Sequence, residues 1–176
     1  MSERIIGIDP GTIRMGYGLV ENQNRTPSYV TCGFILGGKS LSLEQRLWKI
    51  YQELLLLIDE LKPDSMAIEE PFVPVIAKSD GQYKTSVKSA LAVGQAQAIA
   101  LLAAASKEIP IFRYSPTQVK STVAEYGRGS KEQVREVVCW MLGLRKTPES
   151  LDASDALAVA LCHIQRQASM KLWGLP

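Results

Sequence analysis

Ile5-Ile6-Gly7-Ile8-Asp9-Pro10-Gly11-Thr12 is a short apolar run that stops at a carboxylate. The run has strand propensity, and the Asp-Pro-Gly that follows punctuates it. Asp9 therefore stands at the end of a first strand. Taken alone, Asp-Pro-Gly is also a common turn tripeptide, and a turn explains Asp9 without any chemistry.

Outward from that stretch, Tyr17-Gly18-Leu19-Val20 forms a second run, Asn22-Gln23-Asn24 turns the chain, and Ser28 to Leu36 forms a third. Connections this short favour antiparallel neighbours, a three-stranded meander. Ser42-Leu43-Glu44-Gln45 fits a capping box, and Leu43, Leu47, Ile50, Leu54, Leu57, Ile58 and Leu61 recur at helical spacing until Lys62-Pro63. Ser65-Met66-Ala67-Ile68-Glu69 reads as a buried strand arriving at two acids, Glu69 and Glu70. Neighbouring strand residues point to opposite faces, so at most one of these acids faces the same site as Asp9. The stretch of about 73–88 has no clear period and reads as a mobile loop. Ser86 to Ser106 is Ala-rich and helical, and Ile109-Pro110-Ile111-Phe112 is a strand whose proline marks an edge or a strand start. Three helix starts follow, at Ser115-Pro116-Thr117-Gln118, Ser130-Lys131-Glu132-Gln133 and about Leu151, the second helix ending at Gly143 and the last at about Ala168. Strands, helix, strand, helix, strand and helices in this order predict one α/β layered domain over 1–176 with a mixed sheet.

Composition narrows the classes. A chain of 176 residues is long enough for one domain with a real core, and 46% hydrophobic with 22% charged residues is globular rather than disordered. The net charge of +2 is too mild to announce a nucleic-acid partner by itself. Three cysteines without a CxxC pair indicate neither a disulfide framework nor a zinc site, and fit a reducing cytoplasm. No apolar stretch predicts a signal peptide or a membrane span.

Acids dominate the candidate chemistry. Asp152 and Asp155 are three apart at the start of the last helix, so they share a face and lie in its first turn, where the macrodipole favours negative charge. Simple helix capping accounts for that pair equally well. The combination with Asp9 and Glu69 is what points to chemistry. Strand-end and helix-start carboxylates can converge at one end of a sheet, where their repulsion is relieved by hard divalent cations. Two such cations can hydrolyse a phosphodiester. The chain has a single histidine, His163, in an apolar run, which reads as structural and leaves no Ser–His or Cys–His alternative.

Ile6-Gly7-Ile8-Asp9-Pro10-Gly11-Thr12 with Gly16-Tyr17-Gly18, Ala67-Ile68-Glu69 with Phe72, Ser89-Ala90-Leu91 with Val93-Gly94-Gln95-Ala96, Gln118-Val119-Lys120, Lys131 with Gln133-Val134, and Asp152-Ala153-Ser154-Asp155-Ala156-Leu157-Ala158 together resemble the RuvC family of Holliday-junction endonucleases. The resemblance covers nearly the whole chain. It implies an RNase H-like three-layer fold, with a five-stranded mixed sheet and helices on both faces. It also implies that Asp9, Glu69, Asp152 and Asp155 are catalytic metal ligands, for two Mg²⁺ ions per site with Mn²⁺ able to substitute. Phe72 matches an aromatic position near the junction crossover and Lys120 a basic position near the cleaved strand, and Lys120 and Lys131 could each neutralise a phosphate; an ordinary loop hydrophobe and a solvated helix face are the plain alternatives for Phe72 and for the two lysines. Implied partners are a four-way DNA junction, a second copy of the chain and the branch-migration proteins RuvA and RuvB. Three departures stand out: the stretch between Phe72 and Ser89 is longer than the family usually has, Gln97-Ala98 replaces a common Arg-Gly pair and so removes one possible cationic contact, and Glu70 occupies a position usually held by a neutral residue. Other readings are a different RNase H-like nuclease, or an actin-like ATP-binding fragment, whose first phosphate loop is similar to Gly7–Thr12 but which needs two lobes.

Overall fold

The computed structural model describes residues 2–70, 75–77, 83–85, 87–124 and 131–172. Its main sheet has five strands in the order β3-β2-β1-β4-β7. β1 (Ser2–Asp9), β2 (Arg14–Gln23) and β3 (Thr26–Leu36) form the expected antiparallel meander. β4 (Ser65–Glu69) joins β1 in parallel, and β7 (Ile111–Tyr114) joins β4 in parallel at the far edge. Pro110 immediately precedes β7, so its missing N–H is never required by the ladder.

Alternation along the central strands sorts the helices into two layers. Ile6, Ile8, Met66 and Ile68 pack on one face against α1 (Leu43–Leu61) and α2 (Val87–Ser106). Ile5 and Ala67 pack on the other face with α3 (Pro116–Ala124), α4 (Lys131–Met141) and α5 (Leu151–Leu172). This is the α/β three-layer arrangement expected, with both faces of the sheet covered.

Local chemistry sets the helix ends. The Ser42 N–H donates to Gln45 Oε1 at 3.1 Å ahead of α1, and Lys62 ends that helix in the left-handed region. Ser115 and Gln118 cap α3 reciprocally, the Ser115 N–H donating to Gln118 Oε1 at 2.8 Å and the Gln118 N–H donating to Ser115 Oγ at 3.2 Å. Ser150 caps α5, its Oγ accepting from the Ala153 N–H.

Within the stretch of about 73–88, expected as a mobile loop, residues 75–77, 83–85 and 87–88 are described, and the rest lies outside the described residues. β5 (Val75–Ala77) and β6 (Tyr83–Thr85) pair antiparallel in a sheet of their own, and α2 already begins at Val87. Segments of three residues carry too little periodicity to be read from sequence. Phe72 lies outside the described residues.

α5 is the element that positions the site, and it lies unusually close to the sheet. A Cβ on Gly7 would stand 2.0 Å from the Ala156 carbonyl oxygen, and one on Gly16 would stand 2.1 Å from the Asp152 carbonyl oxygen. Only hydrogen fits at those two positions. Ala156 and Ala160 face Gly7 from the helix, so small residues meet small residues along the crossing.

Candidate active site

Asp9 and Glu69 are carried to the same edge of the sheet by two parallel neighbours. The last register pair between β1 and β4 is Ile8 with Ile68, and each acid is the next residue along its strand. Both share the face of Ile5 and Ala67, which is the face covered by α5. Glu70 falls just beyond β4 and is exposed, its N–H donating to the Tyr114 carbonyl at 2.8 Å.

Asp9, Glu69 and Asp155 line one cavity of about 300 Å³ together with Lys120. Val119, Val123 and Ala158 form its apolar walls. Three elements that are distant in sequence thus bring three of the four expected acids to one space, with a lysine on its wall. Lys120 is exposed. Lys131 opens α4, and its side chain lies outside the described residues.

Asp152 stands apart from the other three. Its Oδ2 lies 3.8 Å from the Arg14 guanidinium, whose carbon sits 5.0 Å from the centroid of the Phe34 ring. The expectation that both aspartates occupy the first turn of the last helix is also corrected. Leu151 is the first helical residue, so Asp152 is in the first turn and Asp155 begins the second. Asp152 therefore benefits from the helix N-terminus, whereas Asp155 owes its place to the side of α5 that faces the cavity.

The donor chemistry fits hard divalent cations, because the acids offer oxygen alone and no thiol or imidazole is among the cavity's described lining residues. Among the described residues, no three acidic, histidine or cysteine side chains are gathered closely enough to hold one ion. The carboxylates stand on the walls of a shared space rather than at coordination distance.

Two supporting residues were assigned no such role from the sequence. Gln97 of α2 is buried, and its Nε2 donates to the Glu69 carbonyl at 3.3 Å, which fixes the end of β4. It occupies one of the positions read from sequence as a lost cationic contact. Arg14 opens β2 and looked like an ordinary strand-start charge until Asp152 was placed beside it.

His163 is structural, as its apolar surroundings suggested. It is fully buried on α5, stacks against Phe112 at 4.3 Å between ring centroids, and shares a 2.7 Å hydrogen bond between Nδ1 and the Tyr114 hydroxyl. Glu3 Oε1 lies 3.9 Å from Nε2, which favours a proton on that nitrogen and leaves Nδ1 to accept. Burial pushes the Tyr114 hydroxyl up to about 12, so it keeps its proton. Burial also lowers the His163 pKa, partly offset by Glu3. All three cysteines are free thiols, and no helix among the described residues is long and apolar enough to cross a membrane.

A family profile described as crossover junction endodeoxyribonuclease RuvC matches residues 5–163. A protein of that name from Dehalococcoides mccartyi is 43% identical over 165 residues, covering 94% of this chain and 93% of the relative. Another from Chloroflexus aggregans is 39% identical over 172 residues, covering 98% and 99%. Among solved structures, Thermus thermophilus RuvC in complex with a Holliday junction substrate superimposes with a TM-score of 0.78 at 28% identity over 96% of both chains. Fowlpox virus resolvase with its Holliday junction DNA shares the fold, with a TM-score of 0.56 at 13% identity over 93% of this chain and 98% of the other. A match of this extent, over a chain with acids at the ends of β1 and β4 and at the start of α5, makes the protein a member of the RuvC family of crossover junction endodeoxyribonucleases.

Proposed function

We infer that this protein resolves four-way DNA junctions by metal-dependent phosphodiester hydrolysis, with Asp9, Glu69, Asp152 and Asp155 as its metal-binding carboxylates. The observation that carries the reading is the single cavity shared by Asp9, Glu69, Asp155 and Lys120, built from two strand ends and three helices. The junction as substrate rests on the family and on the relative solved with a junction.

Mg²⁺ is the proposed ion, two per site, with Mn²⁺ able to substitute. Bound there, such ions supply Lewis-acid polarisation of the phosphoryl oxygen and ease deprotonation of the attacking water. The chain's own residues supply the rest. Asp9 and Glu69, anchored on adjacent central strands, present fixed oxygens. Asp155 closes the third side from α5. Val119, Val123 and Ala158 line the cavity with apolar surface beside the acids. Lys120 is placed to neutralise a phosphate next to the one being cut. Asp152 lies three residues before Asp155 on the same helix side. Its pairing with Arg14 is half-exposed and worth under about 1 kcal/mol, so little holds it away from the site. The proposed products carry 5′-phosphate and 3′-hydroxyl ends.

Phe72 and Lys131 are proposed DNA contacts, Phe72 by stacking on a base and Lys131 by pairing with a phosphate. A homodimer is proposed because two sites related by a two-fold axis match the symmetry of a four-way junction. Leu54 and Ile58 of α1 are buried core residues and offer no surface to a partner. The exposed apolar side chains of α1 and α2 are Trp48, Leu56, Leu91 and Leu102, and these support a partner surface there. RuvA and RuvB are the partners that the family implies.

The test is incubation with a synthetic four-way junction and with linear duplex, with and without Mg²⁺. The expected result is symmetrical, metal-dependent nicking of the junction alone, lost in Asp9→Asn while binding survives. Equal cutting of linear duplex, or undiminished nicking by Asp9→Asn, would refute the reading.

A further inference from the structure

A second and larger concavity, about 640 Å³, lies on the opposite side of the α5 N-terminus from the acid cavity. β3 forms one wall through Tyr29 and Phe34, and the α4–α5 connection forms the other through Arg145 and Lys146. We propose that this groove is a phosphate-backbone site, holding a stretch of the junction strand about three nucleotides from the bond that is cut. The proposal rests on the functional reading above and adds a binding surface to it.

Position is the first argument. Asp9 pairs with Gly16 across β1 and β2, and Gly16 pairs with Phe34 across β2 and β3. Asp9, Gly16 and Phe34 therefore stand in one row across the sheet. Two strand spacings of about 4.8 Å put the groove wall roughly 10 Å from the Asp9 backbone. At an axial rise of about 3.4 Å per nucleotide, that is on the order of three nucleotides along one strand.

Charge is the second argument. Arg145 and Lys146 are exposed on the groove wall, and Glu149 is the one acid among its described lining residues. Arg14 adds a third cation at the boundary, resting over Phe34, with its charge partly met by Asp152. Exposed aromatic surface from Tyr29 beside cations is the combination that binds a nucleic-acid strand.

Rigidity is the third argument. The connection carrying these cations is held at both ends. The Leu144 N–H donates to the Cys139 carbonyl at 2.8 Å, the Arg135 guanidinium donates to the carbonyl of buried Pro148, and Ser150 caps α5. Arg145 and Lys146 are thus presented from a fixed turn, and their ordering costs less on binding.

The experiment compares the wild type with the double variant Arg145→Gln, Lys146→Gln, measuring metal-free junction binding by fluorescence anisotropy across a salt series. Two lost phosphate contacts lower the slope of log K against log salt by about 1.8. Between about 50 and 200 mM salt, the wild type then loses about tenfold more affinity than the variant. A second arm walks a neutral methylphosphonate linkage along both sides of the cleavage position. A linkage about three nucleotides away is expected to weaken the wild type and leave the variant unaffected. An unchanged salt slope in the variant overturns the proposal and leaves the groove to an acidic protein partner. So does a variant whose loss simply multiplies with that of every neutral linkage. A wild type that fails to bind the junction removes the functional reading instead, and this inference with it.

Discussion

The acid cavity and the cationic groove flank the same helix end, yet they are built from different materials. The cavity takes its acids from β1, β4 and α5, elements packed so closely that Gly7 and Gly16 have no room for a Cβ. The groove takes its cations from a turn between α4 and α5. Groups that must hold their places to within a fraction of an ångström sit on the rigid crossing. Groups that need only meet a phosphate sit on the connection, where sequence is cheaper to change. The proposed division of labour puts the chemistry on one side of α5 and the grip on the other.

That division can be broken most sharply by pairing variants from the two sides. Asp9→Asn should lower junction turnover on the order of a thousandfold, with metal-free binding retained. The Arg145→Gln, Lys146→Gln variant should do the reverse, losing binding at low salt while turnover at saturating junction stays near that of the wild type. If both variants lost turnover alike at saturation, the two regions would be one site.

Rigidity of the crossing is the next target. Gly7→Ala forces a methyl group against the Ala156 carbonyl. Overpacking of this kind costs about 1–3 kcal/mol. The thermal midpoint should drop by on the order of 5 °C in a chain of this size, with turnover reduced as α5 lifts away. A midpoint equal to that of the wild type would mean that α5 does not need its close approach. Gln97→Ala is milder. It removes the hydrogen bond to the Glu69 carbonyl, worth about 1 kcal/mol. It should lower turnover several-fold without changing the salt dependence of binding.

The smallest expected effect is on pH dependence, and it belongs to the cavity side alone. His163 and Tyr114 lie behind that cavity, on α5 and on the strand next to Glu69. In the unfolded chain a histidine titrates near about 6.5, while burial lowers the value of His163 in the folded protein. As pH falls, the unfolded chain takes up the proton first, so this contribution to stability is complete above about pH 6.5 and is lost on acidifying through it. Thermal midpoints between pH 7 and pH 5 should fall more steeply in the wild type than in His163→Asn. Parallel slopes would assign the acid sensitivity to other groups.

Much of this was legible in the chain itself. The apolar run into Asp9, the helical spacing from Leu43 to Leu61 and the Ser115–Gln118 box each use a local physical rule, and each matched its element closely. Period-two alternation also limited the site to one of Glu69 and Glu70, because adjacent strand residues cannot share a face, and the resemblance to the family chose Glu69. The short strands at 75–77 and 83–85 escaped, since three residues do not establish a period. Gln97 escaped because nothing in an Ala-rich helix reveals which residue meets the end of a neighbouring strand.

The order of the main strands and helices, and the placement of acids at their ends, were written in the sequence. These follow from hydrophobic periodicity and capping, which act over a few residues. Only the tertiary structure decided which acids share a space. The close crossing of α5 puts Asp155 into the cavity with Asp9 and Glu69, and leaves Asp152 beside Arg14. The same crossing joins Arg145 and Lys146 to Phe34 across more than a hundred residues of chain. Such neighbours are set by how closely backbones can approach, and that distance is a property of two packed surfaces together.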